Sequence, residues 1–347
     1  GLSKLTEAKA PLTWSTSPFG DSRFEFTVTP VSLSAGSASG DAWRRFGSNA
    51  VSNAVQNMVT TINNEGNATT TSTALQTLLT KYGATTTDLA GITFDDLNPL
   101  TSTGASNLNW LNTHQDVKNY LIASSLKPSL TQAGSNSTDS QNASGVELSM
   151  ALKGDNYKID LGSTPLGQDL STLVGGVQWA PKLTDYLTLI LTGERRAVTD
   201  SLLSYVGVKA SLTGETWGRV TKNGGNALLS YDNGDAGFYA GAGAYSYLGN
   251  NVASNKSLQA NAGAYIRPLH SEDRELKAGM SVSWMDFSKN LSYYSYGQGG
   301  YFSPQDYASI SFPVDYTRKY DDLSLKVGGS VGYQSYSQDK SAYFPNN

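Results

Sequence analysis

The sequence predicts an all-β protein, a transmembrane antiparallel up-and-down β-barrel, and three features of residues 236–285 predict it. The first is alternation. In 236–248 the even positions are Ala236, Phe238, Ala240, Ala242, Ala244 and Leu248, with Ser246 the polar exception, against Gly237, Tyr239, Gly241, Gly243, Tyr245 and Tyr247. In 257–267 Leu258, Ala260, Ala262, Ala264 and Ile266 oppose Ser257, Gln259, Asn261, Gly263, Tyr265 and Arg267. In 275–285 Leu276, Ala278, Met280, Val282 and Trp284 oppose Glu275, Lys277, Gly279, Ser281 and Ser283. A strict period of two through three successive segments excludes helical spacing. The second feature is length: each segment exceeds the roughly 5–6 residues of a soluble strand and suits the roughly 9–11 of a tilted membrane crossing. The third is the polar face, which is small, nearly uncharged and studded with tyrosine. A face wetted by bulk solvent is usually rich in Lys and Glu, so this one suits the wall of a watery lumen. The other architecture built on alternation is a soluble β-sandwich, whose apolar face would be its core.

In chain order, residues 1–21 hold no sustained period and read as a linker entering the first strand; the barrel then occupies 22–347. Phe24, Phe26 and Val28 begin the alternation. After Pro30 the apolar phase moves to Val31 and Leu33, a shift that a β-bulge at the proline would produce. Residues 36–143 are a long polar insertion whose apolar residues recur at helical spacing: Val51, Val55, Met58, Val59 and Ile62, then Leu75, Leu78, Leu79 and Tyr82, then Val117, Tyr120 and Leu121. Residues 134–144 within it are a low-complexity loop, and the whole insertion reads as a cap, a plug or a surface loop. Strands follow around Val146–Leu152, Tyr157–Leu161, Leu173–Trp179 and Leu187–Leu191. Residues 195–209 alternate too poorly to assign, and Asn223-Gly224-Gly225 reads as a turn. Beyond a tyrosine-rich loop come Ala308–Tyr316 and Leu323–Tyr333, for about a dozen strands. The chain stops at Phe344-Pro-Asn-Asn, in a loop, so the last strands of a closed barrel are expected to be missing.

Composition narrows the function. A net charge of −4 gives no electrostatic case for nucleic acid. No run of apolar residues is long enough for a spanning helix, a test that strands escape. The absence of Cys excludes disulfides and thiolate chemistry. Only His114 and His270 are available as histidine bases, one in the insertion and one in a turn, and neither is placed among carboxylates on the polar face. Asp232-Asn-Gly-Asp reads as a hairpin rather than a calcium loop, and Gly297-Gln-Gly-Gly lacks the lysine and helix of a phosphate loop. Catalysis, cofactors and metals are therefore not expected.

Tyrosine remains. Tyr239, Tyr245, Tyr247 and Tyr265 share the polar face in mid-strand, where interfacial girdles do not explain them. An aromatic ring with a hydroxyl at its rim suits a pyranose, so these four are candidate lumen contacts for a neutral glycan that binds and still slides. A general porin is the competing reading.

The segment Tyr296-Gly-Gln-Gly-Gly-Tyr-Phe-Ser-Pro-Gln305 closely resembles the C-terminal barrel of the bacterial cellulose synthase operon protein C family. Ser163-Thr-Pro-Leu-Gly167, Gly175-Gly-Val-Gln-Trp-Ala-Pro181, Arg196-Ala-Val-Thr-Asp-Ser201 and Trp217-Gly-Arg-Val-Thr-Lys-Asn-Gly224 resemble further blocks of it in the same order. The resemblance implies a sixteen-stranded outer-membrane barrel of a Gram-negative bacterium that exports β-1,4-glucan, preceded by periplasmic tetratricopeptide repeats. It implies cellulose, outer-membrane lipid, the repeat region and the cellulose synthase complex as partners. Tyr296, Tyr301 and Phe302 are then expected as loop contacts at a mouth of the channel. The alternatives are a general porin and a soluble or surface glycan-binding sandwich.

Overall fold

A computed structural model describes residues 4–36, 141–209, 216–341 and 345–346, together with Ser102. The expected helices of the insertion, and His114, lie outside these residues. The described chain is nearly all strand. Its first half holds β1 (Thr6–Lys9), β2 (Leu12–Phe19), β3 (Ser22–Gly36), β4 (Gln141–Lys153), β5 (Tyr157–Ser163), β6 (Leu173–Trp179) and β7 (Leu187–Ala197). A single helical turn, α1 (Leu202–Tyr205), and β8 (Val208–Lys209) follow. The second half holds β9 (Thr216–Asp232), β10 (Ala236–Asn250), β11 (Asn255–His270), β12 (Arg274–Phe287), β13 (Gln305–Lys319) and β14 (Ser324–Ser337).

These form one antiparallel sheet in which successive long strands are neighbours, the up-and-down order of a meander. Among the described residues the sheet is not closed: β14 pairs only with β13, and β1 and β2 lie end to end along β3. Residues 6–9 and 12–19, expected as linker, are therefore strand. The pairing of an edge strand is made by backbone groups and needs no side-chain period, which is why Thr6-Glu-Ala-Lys gave no signal. Connections at one end are tight, as at 154–156, 233–235 and 271–273; those at the other end are long, as at 198–215 and 288–304.

Burial along the strands is inverted relative to a soluble sheet. On the apolar face Leu258 is 56% and Ile266 57% exposed, while on the polar face Tyr245 keeps 4% and Tyr247 5% of their surface. A soluble sandwich would cover the apolar face with a second sheet; here that face is bare from Leu161 through Val177, Phe238 and Met280 to Val331. Such a surface is stable only against an apolar medium. The polar face is the concave one. Val31, Leu33 and Ala35 of β3 share a buried cluster with α1 and with Trp217 of β9, and Tyr294 and Tyr296 from the loop after β12 pack on it. Strands five rows apart meet there only because the sheet wraps around those loops.

Three local expectations are corrected. No bulge lies at Pro30: β3 and β4 stay in register from Arg23↔Lys153 to Ser34↔Asn142. Val31 and Leu33 take the inward positions, and they are apolar because α1 packs against them rather than water. Residues 141–144, expected as loop, are the first residues of β4. Asn223-Gly224-Gly225 is not a turn but the middle of the continuous β9, in register with both neighbours. A Cβ on Gly224 would lie 2.1 Å from the Ala244 carbonyl and one on Gly225 2.5 Å from that of Thr192. The glycines serve close backbone approach.

The two faces make a direct prediction. Met280→Arg, on the outer face, should impair assembly in a bilayer by about 2–4 kcal/mol near its midplane, whereas Asn261→Arg, on the inner face, should assemble normally. Folded yield in lipid vesicles, read by heat-modifiable migration, measures both; equal damage would mean that the faces are reversed or equivalent.

Candidate functional site

The concave face of β9 to β12 carries the tyrosines singled out by alternation, and the structure separates them into two groups. Tyr239 pairs with Gly263 across the β10–β11 ladder, and Tyr265 with Gly237. A Cβ on Gly263 would fall 2.5 Å from the Tyr239 ring, and one on Gly237 2.3 Å from the Tyr265 phenol. Each ring therefore lies along the wall over bare glycine backbone, and any side chain there would lift it into the lumen. The Tyr239 hydroxyl shares a 2.8 Å hydrogen bond with Ser281 Oγ, and the Tyr265 hydroxyl donates to Asp232 Oδ2 at 2.6 Å. Arg267 grips the same carboxylate with both terminal nitrogens at 2.8 and 2.9 Å and donates through Nε to Glu275 at 2.7 Å. Lys277 Nζ stands 4.0 Å from the Tyr265 ring centroid. This group occupies the tight-turn end of the lumen. The hairpin at 233–235 closes on Asp232 and Asn233 side chains, as expected of a turn, and the Asp232 carboxylate is occupied by Arg267.

Tyr245 and Tyr247 lie nearer the long-loop end and are buried. The Tyr245 hydroxyl accepts from Asn226 Nδ2 at 2.7 Å and donates to Glu194 Oε1 at 3.4 Å, with Lys222 Nζ 4.2 Å from its ring. Glu194 also accepts from Arg196, which holds Asp160 bidentately. Glu194, Lys222, Asn226, Tyr245, Gln259 and Tyr307 border an open cavity of about 370 Å³. Tyr247 stacks on Tyr301 at 5.1 Å and 14°, with Phe287 against both rings. The tyrosine-rich loop thus sits on the wall. Tyr301 is fully buried, and its hydroxyl accepts from Asn255 Nδ2 at 3.2 Å. Tyr296 lies 5.7 Å from Trp217. Phe302 alone of the three motif aromatics is exposed, edge-on to Tyr307 and Tyr336.

The glycines of the motif are explained by this packing. Gly297 and Gly300 have φ of +96° and +66°, a region that other residues seldom enter. A Cβ on Gly300 would fall 2.7 Å from Ser201 Oγ, at the N-cap of α1. The Asp200 carboxylate accepts from the Phe302 N–H at 2.9 Å. The loop of residues 198–209 and the loop of residues 288–304 therefore meet and fill the lumen at one end. In the first, Tyr205 donates to Glu147 on β4, and burial followed by that hydrogen bond pushes its phenol up to about 12. Burial likewise pushes the Tyr301 phenol up.

Sequence reasoning placed the four wall tyrosines on one face but missed Asp160, Glu194, Arg196, Asp232, Arg267 and Glu275. All six lie at polar parity, so their side was readable; the pairs Arg196–Asp160 and Arg267–Asp232 join residues 36 and 35 apart in sequence. His270 is exposed at the end of β11. No group of three or more His, Cys, Asp or Glu able to hold a metal occurs among the described residues.

A family model described as "Cellulose synthase operon protein C C-terminus" matches residues 101–347. Among curated relatives, cellulose synthase operon protein C of Xanthomonas axonopodis pv. citri is 40% identical over 208 residues, which cover 59% of this chain and 14% of that protein. That of Pseudomonas fluorescens is 39% identical over 234 residues, covering 65% and 18%. That of Komagataeibacter xylinus is 36% identical over 188 residues, covering 54% and 14%. The matches therefore span less than a fifth of these relatives' length. Among solved structures, the FrpB iron transporter from Neisseria meningitidis aligns with 94% of this chain and 47% of its own, at 8% identity and a TM-score of 0.40. OmpT of Vibrio cholerae aligns with 96% and 86%, at 8% identity and a TM-score of 0.35.

The raised phenols give a pH prediction. A tyrosine whose folded pKa exceeds its ordinary value near 10 contributes stability that is complete below about pH 10 and lost as pH climbs through the folded value. For Tyr205 the window runs from about pH 10 to about 12. Protease access to the two inward loops should rise in that window, together with a late-titrating fraction of tyrosinate absorbance. Tyr205→Phe with Tyr301→Phe should diminish that late fraction; an unchanged titration would contradict the burial described here.

Proposed function

The chain belongs to the cellulose synthase operon protein C C-terminal family, and from that premise we propose that it is the outer-membrane conduit through which β-1,4-glucan leaves the cell. The observation that carries the reading is the inverted sheet. Its outer face is an uncovered apolar band suited to lipid, and its concave face is polar and aromatic. A neutral glucan needs contacts that are weak, repeated and interchangeable. Tyr239 and Tyr265 offer ring faces along the wall, held by hydroxyl bonds that fix their orientation. Arg267 is engaged by Asp232 and Glu275 and Arg196 by Asp160 and Glu194, while Lys277 and Lys222 lie over the Tyr265 and Tyr245 rings. The charges on this wall are thus held by the wall itself, which suits a polymer that carries none.

Tyr245 and Tyr247 belong to the same path, beneath the inward loops, and Phe302 is the candidate contact at the mouth. The export reading has no catalytic step, and the partners that follow from it are the glucan, outer-membrane lipid, a preceding repeat region and the synthase complex. A general porin shares the inverted sheet but has no use for rings laid flat at intervals along the wall. A glycan-binding sandwich would need its apolar face covered.

Removing a single ring should be tolerated. Base–aromatic stacking in other systems is worth about 1–3 kcal/mol per ring, and sugar contacts that let a polymer slide should be weaker. Replacing Tyr239, Tyr245, Tyr247 and Tyr265 together by Ala should cut cellulose output several-fold while the barrel still reaches the outer membrane. Output normalised to folded barrel is the measurement. Wild-type output from the quadruple variant would remove the tyrosines from the path.

A further inference from the structure

Two of the lumen tyrosines are covered by lysine, and the two covers are built alike. Lys222 Nζ stands 4.2 Å from the Tyr245 ring centroid and Lys277 Nζ 4.0 Å from that of Tyr265. Both distances put the ammonium over a ring face, since an approach in the ring plane at that range would collide with ring hydrogens. The residue directly across the ladder from each tyrosine is glycine, Gly224 for Tyr245 and Gly279 for Tyr265. Each lysine lies two residues before that glycine on the same strand, as Lys222-Asn-Gly224 and Lys277-Ala-Gly279. A Cβ on Gly224 would fall 2.9 Å from the Tyr245 Cα, and one on Gly279 2.9 Å from the Tyr265 Cβ. The glycine thus leaves open the space beside the tyrosine stem, across which the lysine reaches the ring. One unit is reached from β9 and the other from β12, on opposite sides of the β10–β11 pair, so the repeat does not come from one crowded strand.

The other side of each ring is taken by the wall. Tyr265 lies over Gly237, and a Cβ on Gly243 would be 3.2 Å from the Tyr245 ring. The lysines therefore stand on the side that faces the lumen. A pyranose stacking through its C–H face needs that same side, so sugar and ring cannot meet while the ammonium is in place. The ammonium is held there weakly. A cation over a partly solvated ring gains about a 2- to 5-fold preference in population, and both lysines are half-buried rather than enclosed. A flexible four-carbon stem lets Nζ leave without moving the strand. Arg267, 5.1 Å from the Tyr265 ring, lacks that freedom because Asp232 and Glu275 fix it. A displaced ammonium has three N–H donors for the hydroxyls of whatever displaced it.

We propose that Lys222 and Lys277 are exchangeable caps: each covers its tyrosine in the empty channel, gives up the ring face to a glucosyl unit and then binds that unit's hydroxyls. The proposal rests on the glucan-conduit reading for its ligand and adds the residues that set how firmly the polymer is held. Each arriving unit trades one ring contact for another. The rings are not left bare when the channel is empty, and the polymer is not trapped when it is full.

The test uses the full chain, isotope-labelled at the lysine ε-carbons and folded in micelles of a detergent without a sugar headgroup, with cellohexaose as the probe. Ring currents should shift the ε-methylene signals of Lys222 and Lys277 upfield in the empty protein, each identified by its loss in Lys222→Arg or Lys277→Arg. Cellohexaose should return both toward the position of a free lysine. Lys9 is the internal reference. Its Nζ is 5.0 Å from the ring of the buried Tyr205 and 2.7 Å from Glu7, so its signal should stay. In equilibrium dialysis, Lys222→Met with Lys277→Met should weaken cellohexaose binding about fivefold, because the hydroxyls lose charged donors; the two arginine substitutions together should restore most of it. Should the methionine pair fail to fold, the shift measurement on the wild type decides alone. Free-lysine positions in the empty protein would overturn the caps. Bound cellohexaose with both signals unmoved, or equal binding by the methionine pair, would overturn the exchange and leave the conduit reading standing. No cellohexaose binding in dialysis would count against the conduit reading itself, and the exchange would fall with it.

Discussion

The structure depends on one constraint, that the ladder between β10 and β11 sets tyrosine against glycine. Gly237 faces Tyr265 and Tyr239 faces Gly263. In both pairs the ring occupies the space that a Cβ would fill. A large side chain on a concave surface normally points toward the axis and competes with its neighbours for shrinking volume. Laid over glycine, it covers backbone instead and leaves the lumen open. The same geometry explains why the inward row of β10 from Gly237 to Tyr247 is half glycine and half tyrosine, since neither residue type serves alone. It also orients each hydroxyl along the wall, where Ser281 and Asp232 meet it.

Where the wall stops relying on flattened rings, loops take over. Tyr247 is not laid over glycine but stacked on Tyr301, and the cluster around it joins β9, β10 and β12 to the loop before β13. Val31, Leu33 and Ala35 make the matching apolar strip on β3 for α1. Side-chain chemistry on the concave face thus changes along the barrel. It is hydrogen-bonded and charge-neutralised at the tight-turn end and apolar where protein rather than water fills the interior. The contact between Gly300 and Ser201 leaves no room for a side chain between the loops, so they act as one packed body.

Much of this was legible in the sequence, and the exceptions have physical causes. Alternation in 236–285 fixed strands, faces and antiparallel order because each strand meets two different media. It failed at Pro30, where the rule that inward means polar gives way to loop packing. It failed at Gly224 and Gly225, because a glycine pair has the same signature in a turn and in a strand pressed between two backbones. It failed for residues 6–19, whose pairing is carried by the backbone. The site was half visible. Parity put Tyr239, Tyr245, Tyr247 and Tyr265 on one side, but burial of two of them depends on a loop some 50 residues later in the chain, which no local pattern reports. The longer-range ion pairs were invisible for the same reason: Arg196 and Asp160 are 36 residues apart.

Charge placement completes the logic. An ionised group facing a confined lumen either draws a counter-ion or is paired, and pairing leaves the lumen free of both. Arg267 and Arg196 are each held by two carboxylates, so neither stands on the wall as a free cation. That arrangement suits a neutral polymer, which gains nothing from a field and is slowed by tightly held water.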